Sequence, residues 1–202
     1  MKQLPKKGLV ITRKRKKWKF AHFDEWQNCF ELNRNSDPKK LKTQLSTRLS
    51  ASRTDPDANR GGLVVELAAG NAQFSLELAR RHPEMDFIAV DIKSDRLYTS
   101  AKKALEEEVN NIAFVRAHIN EVEELFDENS VDEIWITFPD PHPKKRSAKH
   151  RLTHTHFLQL YRNILKRGGV LKFKTDNRDL FNWSLEQFVT DNCLPSELSF
   201  DL

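Results

Sequence analysis

Asp140 lies between two prolines in the run ITFPDPHPKKRSAKHRL, residues 136–152. Pro139 and Pro141 narrow the backbone on both sides, so the carboxylate is positioned at low entropic cost. Lys144, Lys145, Arg146, Lys149 and Arg151 follow within eight residues, with His150 among them. Such cations neutralise phosphates but do not by themselves choose a sequence. A fixed acid next to phosphate-holding charge suits chemistry on a nucleotide.

Three further positions carry chemistry. Gly70 stands in ELAAGNA, where a strand-to-helix turn meets either a nucleotide cofactor or nothing but solvent. Asp91 ends DFIAVDI, where an acid accepts hydrogen bonds from ribose hydroxyls or caps a helix. Glu66 closes an apolar run and needs a partner if buried. A cationic or hydrogen-bond-donating cofactor group would serve, and so would an arginine. His142, His154 and His156 match no common zinc spacing, and no metal is expected. Cys29 and Cys193 are far apart and also lack metal spacing.

The elements that must position these residues are legible from Gly62 onward. Strands are predicted over 63–67, 86–92, 111–117, 131–138 and 170–176. Helices are predicted over 72–82, 94–108, 120–126, 153–167 and 177–190, the fourth ended by Gly168 and Gly169. This alternation predicts an α/β, doubly wound, mostly parallel sheet covered on both faces. Ligands of such sheets bind beyond the carboxyl ends of the strands, at the switch point. Glu66 to Ala72, Asp91, His118 to Ile119, Pro139 to Lys144 and Asp176 all fall there. Residues 1–60 read as a basic arm and flexible linker, and 61–202 as the α/β domain. The polar stretch over 33–62 is expected to be loop.

Composition sets the class. At 202 residues, 31% of them charged, and a mean hydropathy of −0.67, a soluble protein is expected, with no membrane span. The opening residues lack the apolar core of a secretory signal, and the cysteine usage fits a reducing cytoplasm. The first twenty residues hold nine Lys or Arg and no acid, so the remaining chain carries a net −4 against the overall +5. Clustered charge of this kind is the footprint of a polyphosphate binder, or of a solvated tail. Trp18, Phe20, Phe23 and Trp26 interleave with it, either to stack on bases or to anchor the arm on the core. The choice between monomer and homodimer stays open.

ELAAGNAQFSLELARRHPEMDFIAVDIK together with EIWITFPDPHPKKRSAKHRLTHTHFLQLYRNILKRGGVLKFKTDN resembles the bacterial tRNA (guanine-N7-)-methyltransferases across about residues 62–190. That family carries E-x-G-x-G-x-G after its first strand and an acid after its second. F-P-D-P-x-x-K and basic residues follow the fourth, and a T-D pair closes the fifth. The resemblance implies a Rossmann-like class I fold using S-adenosylmethionine, with tRNA as substrate and the variable-loop guanosine as target. It implies that Glu66, Gly70 and Asp91 hold the cofactor, and that Asp140 meets both methyl donor and base as the catalytic residue. Lys144 and Asp176, with Lys145, Arg146 and Arg151, would contact RNA. The family's acid after the third strand falls on His118, leaving Ile119 to meet adenine through its backbone. Ala68 and Ala72 replace two glycines, each placing a methyl group where the cofactor approaches. The family pattern continues with T-x-x-E and two more strands. The chain stops at SELSFDL, so the C-terminal strands are expected to be incomplete.

The implied chemistry fits the residue types. Guanine N7 has an exposed lone pair and no proton to lose, so methylation needs alignment rather than a strong base. A fixed carboxylate favours the positive charge that moves onto the ring. Two other readings use the same residues. One is a non-catalytic RNA-binding protein on this scaffold. The other is a nicotinamide-dependent oxidoreductase, which would leave the basic arm and the F-P-D-P loop unexplained.

Overall fold

The computed structural model describes residue 23 and residues 25–50 and 61–201. Six strands and six helices follow one another in these regions. They are β1 (Cys29–Glu31), α1 (Pro38–Ser50), β2 (Leu63–Leu67), α2 (Gln73–Arg81), β3 (Asp86–Asp91), α3 (Ser94–Glu106), β4 (Ile112–Arg116), α4 (Val122–Leu125), β5 (Val131–Thr137), α5 (Thr155–Ile164), β6 (Leu165–Lys174) and α6 (Arg178–Thr190). The strands form one sheet in the order β1-β4-β3-β2-β5-β6, every pair parallel. Strand order reverses between β2 and β5, which makes their carboxyl ends the switch point.

Alternation along each strand sorts its side chains between two cores. Val65, Leu67, Ile88, Val90, Ala113 and Val115 face one side with α1, α4 and α5. Val64, Phe87, Ala89, Ile112 and Phe114 face the other, with Leu76 and Ala79 of α2 and Leu97, Ala101 and Ala104 of α3. The helical spacing of those last residues puts each set on a single face.

The expected loop over 33–62 is corrected. Pro38–Ser50 is helical, with Leu41, Leu45 and Leu49 buried along one stripe. Asp37 accepts the backbone N–H of Lys39 at 3.0 Å, and Pro38 occupies the first helical position, where its missing N–H costs nothing. The stripe is only three leucines wide, and the surrounding polar residues mask it in any average. The strand β1 likewise lies within residues 1–60, where an arm and flexible linker are expected. It adds to the sheet edge beside β4, and Arg116 holds it through an ion pair with Glu31.

Phe23 is fully buried, and Trp26 packs on Tyr98 with ring centroids 4.7 Å apart, so these two aromatics anchor rather than await a base. Trp18, Phe20, the nine N-terminal cations and residues 51–60 lie outside the described residues. The helix predicted over 153–167 ends at Ile164, and β6 runs straight through the two glycines. A register irregularity opposite Val131 and Glu133, with Gly168 at φ +83°, allows this. The segment after β4 is a 3-10 turn, Ile119–Glu121, leading into the single turn of α4. Among the described residues, no helix is long and apolar enough to cross a membrane.

Tyr161 is a cost within this core. Its ring is buried among the α5 contacts, and its hydroxyl finds no hydrogen-bond partner. Burial pushes its ionisation well above the ordinary phenol range. An unsatisfied buried hydroxyl costs about 1–3 kcal/mol. Tyr161→Phe should therefore leave the melting temperature unchanged or raise it, whereas Tyr161→Ala should cost about 3–5 kcal/mol through the cavity it leaves. Thermal and urea unfolding of the three proteins check the two outcomes.

Candidate active site

The switch point is built by three backbone turns. After β2, Ala68, Gly70 and Ala72 all take left-handed backbone conformations, with φ of 56°, 59° and 55°. These alternate positions are the ones a glycine-rich cofactor turn would fill. A Cβ built at Gly70 would meet nothing within 4 Å, so open space lies above this residue. The Ala72 side chain is instead fully buried with Leu76 in the second core. Its methyl group therefore does not project toward a cofactor, contrary to expectation.

Asp91 locks that turn in place. One carboxylate oxygen accepts the Gly70 N–H at 2.9 Å, and the other accepts the Lys93 N–H at 2.8 Å. Each oxygen keeps a second lone pair. Burial raises the Asp91 pKa despite these bonds.

Glu66 solves its burial in an unexpected way. Its carboxylate accepts the Ser75 hydroxyl at 2.5 Å and the Thr137 hydroxyl at 2.7 Å, with the Ser75 N–H at 3.3 Å. Neither an arginine nor a cofactor is needed to satisfy it. The acid thereby ties β2 to α2 and β5. Burial pushes its pKa up, and the charge of Asp91 adds to the effect. Ser75 and Thr137 were not identified from the sequence; both sit at polar positions in otherwise apolar runs.

The turn after β5 carries the acid of interest. The Phe138 N–H donates to the Lys174 carbonyl at 2.8 Å, and Phe138 itself has φ 48°. Pro139 is buried and Asp140 is exposed. Lys144, Lys145, Arg146 and Lys149 are exposed on or beside the 3-10 turn Lys145–His150. Arg151, expected among the phosphate contacts, is turned inward instead. Its guanidinium donates to the carbonyls of Pro141 and His142, both at 3.2 Å, and stacks 4.5 Å from the Trp183 ring centroid. It holds the loop that carries Asp140.

The remaining positions close the rim. His118 is exposed, and its N–H donates to the Glu121 carboxylate at 3.0 Å. An acid thus does stand beyond β4, three residues later than gap-free counting places it. Ile119 is half-buried in the same turn, and the Ala117 N–H donates to the Asp91 carbonyl at 3.2 Å, joining this turn to the end of β3. Asp176 is exposed between β6 and α6. Among the described residues, no three His, Cys, Asp or Glu side chains are grouped to hold a metal.

A family profile described as "Putative methyltransferase" matches residues 60–197. A protein of Brevibacillus brevis named tRNA (guanine-N(7)-)-methyltransferase is 38% identical over 144 residues, covering 71% of this chain and 67% of that protein. The chain belongs to the tRNA (guanine-N(7)-)-methyltransferase family. Relatives of the same name from Christiangramia forsetii and Porphyromonas gingivalis are 47% and 42% identical, covering 61% and 74% of this chain. The chain spans 55% and 60% of their lengths, so it corresponds to rather more than half of these curated relatives. The aminoglycoside resistance methyltransferase NpmB1 shares the fold, with a TM-score of 0.54 at 19% identity over 78% of this chain and 71% of that one. TrmN from Thermus thermophilus has a TM-score of 0.51 at 25% identity, covering 77% of this chain and 41% of that one. The three relatives and NpmB1 carry methyltransferase names, which support neither the nicotinamide nor the non-catalytic reading.

Within this family member, the left-handed alanines should respond differently to glycine. Ala68 is only half-buried, so Ala68→Gly relieves left-handed strain worth about 1–2 kcal/mol, partly offset by unfolded-chain entropy. A net gain on the order of 1 kcal/mol is expected in urea unfolding. Ala72→Gly also loses a buried methyl group worth about 0.8 kcal/mol and should be close to neutral.

The two acids also set a pH dependence. Both carboxyls are raised, so the native state binds protons more tightly than the unfolded chain. The stability they contribute is fully present below the ordinary carboxylate range. It is lost as pH rises through the raised folded values. Glu66→Gln removes one of these groups, and its melting temperature should fall less steeply with rising pH than that of the parent. Parallel slopes would contradict the assignment.

Proposed function

We propose that the chain transfers a methyl group from S-adenosylmethionine to N7 of guanine in tRNA, with Asp140 as the catalytic residue. The observation that carries the reading is the exposed, proline-framed Asp140. It sits at the switch point beyond β5, beside a β2 turn with open space above Gly70. The names of the relatives support the same reaction.

The residues present fit the cofactor. The open space at Gly70 admits close approach, and Asp91 retains lone pairs for ribose hydroxyls. Glu66 and Asp91 stand at the carboxyl ends of β2 and β3, the end at which a ligand of this sheet would sit. Ile119 lies at the rim, where its backbone would meet the adenine, with His118 beside it. When bound, S-adenosylmethionine supplies an electrophilic methyl group on a positively charged sulfur.

The work left to the protein is placement. With that group bound, transfer of its methyl to the N7 lone pair would leave the carbon–sulfur electron pair on sulfur and bring positive charge to the guanine ring. Asp140 accepts from the base's N1 and N2 donors and stabilises that charge where it develops. Lys144, Lys145, Arg146 and Lys149 hold phosphates, and Asp176 contacts RNA from the end of β6. Arg151 acts on the RNA only through the loop it braces.

Asp140→Ala should lower kcat for methyl transfer to unmodified tRNA by about 100- to 1,000-fold. The far-ultraviolet circular dichroism and the melting temperature should stay near those of the parent, because Asp140 is exposed. Full activity in the variant would remove Asp140 from the mechanism.

A further inference from the structure

One feature of the site is not used by the reaction as described. Phe138 is a large apolar side chain left 55% exposed, two residues before Asp140. Its φ of 48° is a conformation that costs a side-chain-bearing residue about 1–2 kcal/mol, and that glycine or asparagine adopts more easily. Folding alone gives no reason to keep a phenyl ring there. Strain of this kind, held by surrounding structure, collects at functional sites. Two constraints hold it: the bond from its N–H to the Lys174 carbonyl, and the buried Pro139 that follows.

The surroundings of the ring indicate what it receives. Thr137 and Trp135 of β5 pair in register with Lys174 and Lys172 of β6, and these side chains share one face of the sheet. The opposite face of the same strands holds Ile134 and Ile136, which are fully buried. On the first face, Lys172 and Lys174 remain exposed. The Lys174 ammonium lies 5.6 Å from the Phe138 ring centroid, and the Lys172 ammonium lies 4.8 Å from that of Trp135. Trp135 is only partly exposed and Lys172 is paired with Glu133, so the exposed ring with a lysine beside it is Phe138 with Lys174. Single-stranded nucleic acid uses such a surface, with bases on rings and phosphates on cations. A base that must reach Asp140 has first to leave its own stack, and it loses stacking energy in doing so.

We propose that Phe138 is the platform on which the acceptor guanine stacks, with Lys174 beside it contacting the phosphate of that nucleotide. The inference rests on the functional reading above and names a substrate-binding surface separate from the Lys144–Lys149 cluster. Phe138 touches the base and positions it against Asp140; it takes no part in bond making.

Steady-state methylation of a tRNA transcript by the parent, Phe138→Tyr and Phe138→Leu tests this, together with calorimetric binding of S-adenosylmethionine. Phe138→Leu should lower kcat/KM for tRNA by about 10-fold or more, the range expected for loss of one base–aromatic stack. Phe138→Tyr should stay within about 3-fold of the parent, since it keeps the ring. Cofactor affinity should be unchanged in both. Phe138→Gly adds a readout that a structural role would not give: its melting temperature should rise as left-handed strain is relieved, while kcat/KM falls. Parent-like kcat/KM in Phe138→Leu overturns the inference and leaves the functional reading intact. Weakened cofactor binding with an unchanged KM for tRNA also overturns it, because the ring would then belong to the cofactor pocket. If the parent transfers no methyl group to tRNA, the functional reading fails. Direct tRNA binding then decides the inference: reduced affinity in Phe138→Leu supports it, and equal affinity overturns it.

Discussion

The Glu66 carboxylate is the constraint on which the rest of the site depends. It is buried at the end of β2, and a buried charge without partners is costly. Ser75 on α2 and Thr137 on β5 satisfy it. These bonds cross the point at which strand order reverses, so the acid joins the two halves of the sheet where they part. The left-handed turn over Ala68 to Ala72 begins two residues after Glu66, and Phe138 directly follows Thr137. Both turns are therefore anchored to one side chain.

From that anchor the site divides into the turn after β2 and the loop after β5. Asp91 bonds to the Gly70 N–H and fixes the first. On the second, Phe138 bonds to the Lys174 carbonyl, and Arg151 grips the carbonyls of Pro141 and His142. Asp140 is exposed between rigid supports, which suits a reaction limited by alignment. Left-handed conformations at Ala68, Ala72, Phe138 and His142 cluster around this opening. They are four of the seven non-glycine residues with positive φ among the described residues, the others being Glu108, Asn129 and Asn192.

Much of this was legible in the sequence, for physical reasons. Short runs such as LVVEL, apolar but for Glu66 and preceded by two glycines, read as strands buried on both faces. Leu97, Ala101 and Ala104 recur at a helical period and leave one possible face for α3. The α1 helix was equally present in the residues, as an Asp37–Pro38 cap ahead of Leu41, Leu45 and Leu49. Reading the polar average hid it. Arg151 could not have been sorted from its neighbours by sequence, because its role depends on Trp183, which lies 32 residues on in α6.

The sequence by itself determined the alternation of strands and helices, the parallel sheet that follows from it, and the proline-framed acid beside a basic run. These are local properties: periodicity, proline geometry and charge density act over a few residues. Only the tertiary structure decided which polar groups satisfy Glu66, which cations face solvent, and that Cys29–Glu31 completes the sheet edge. It also decided that the methyl group of Ala72 faces the core rather than the cofactor. Each of those depends on contacts between residues distant in the chain, and no local pattern encodes them.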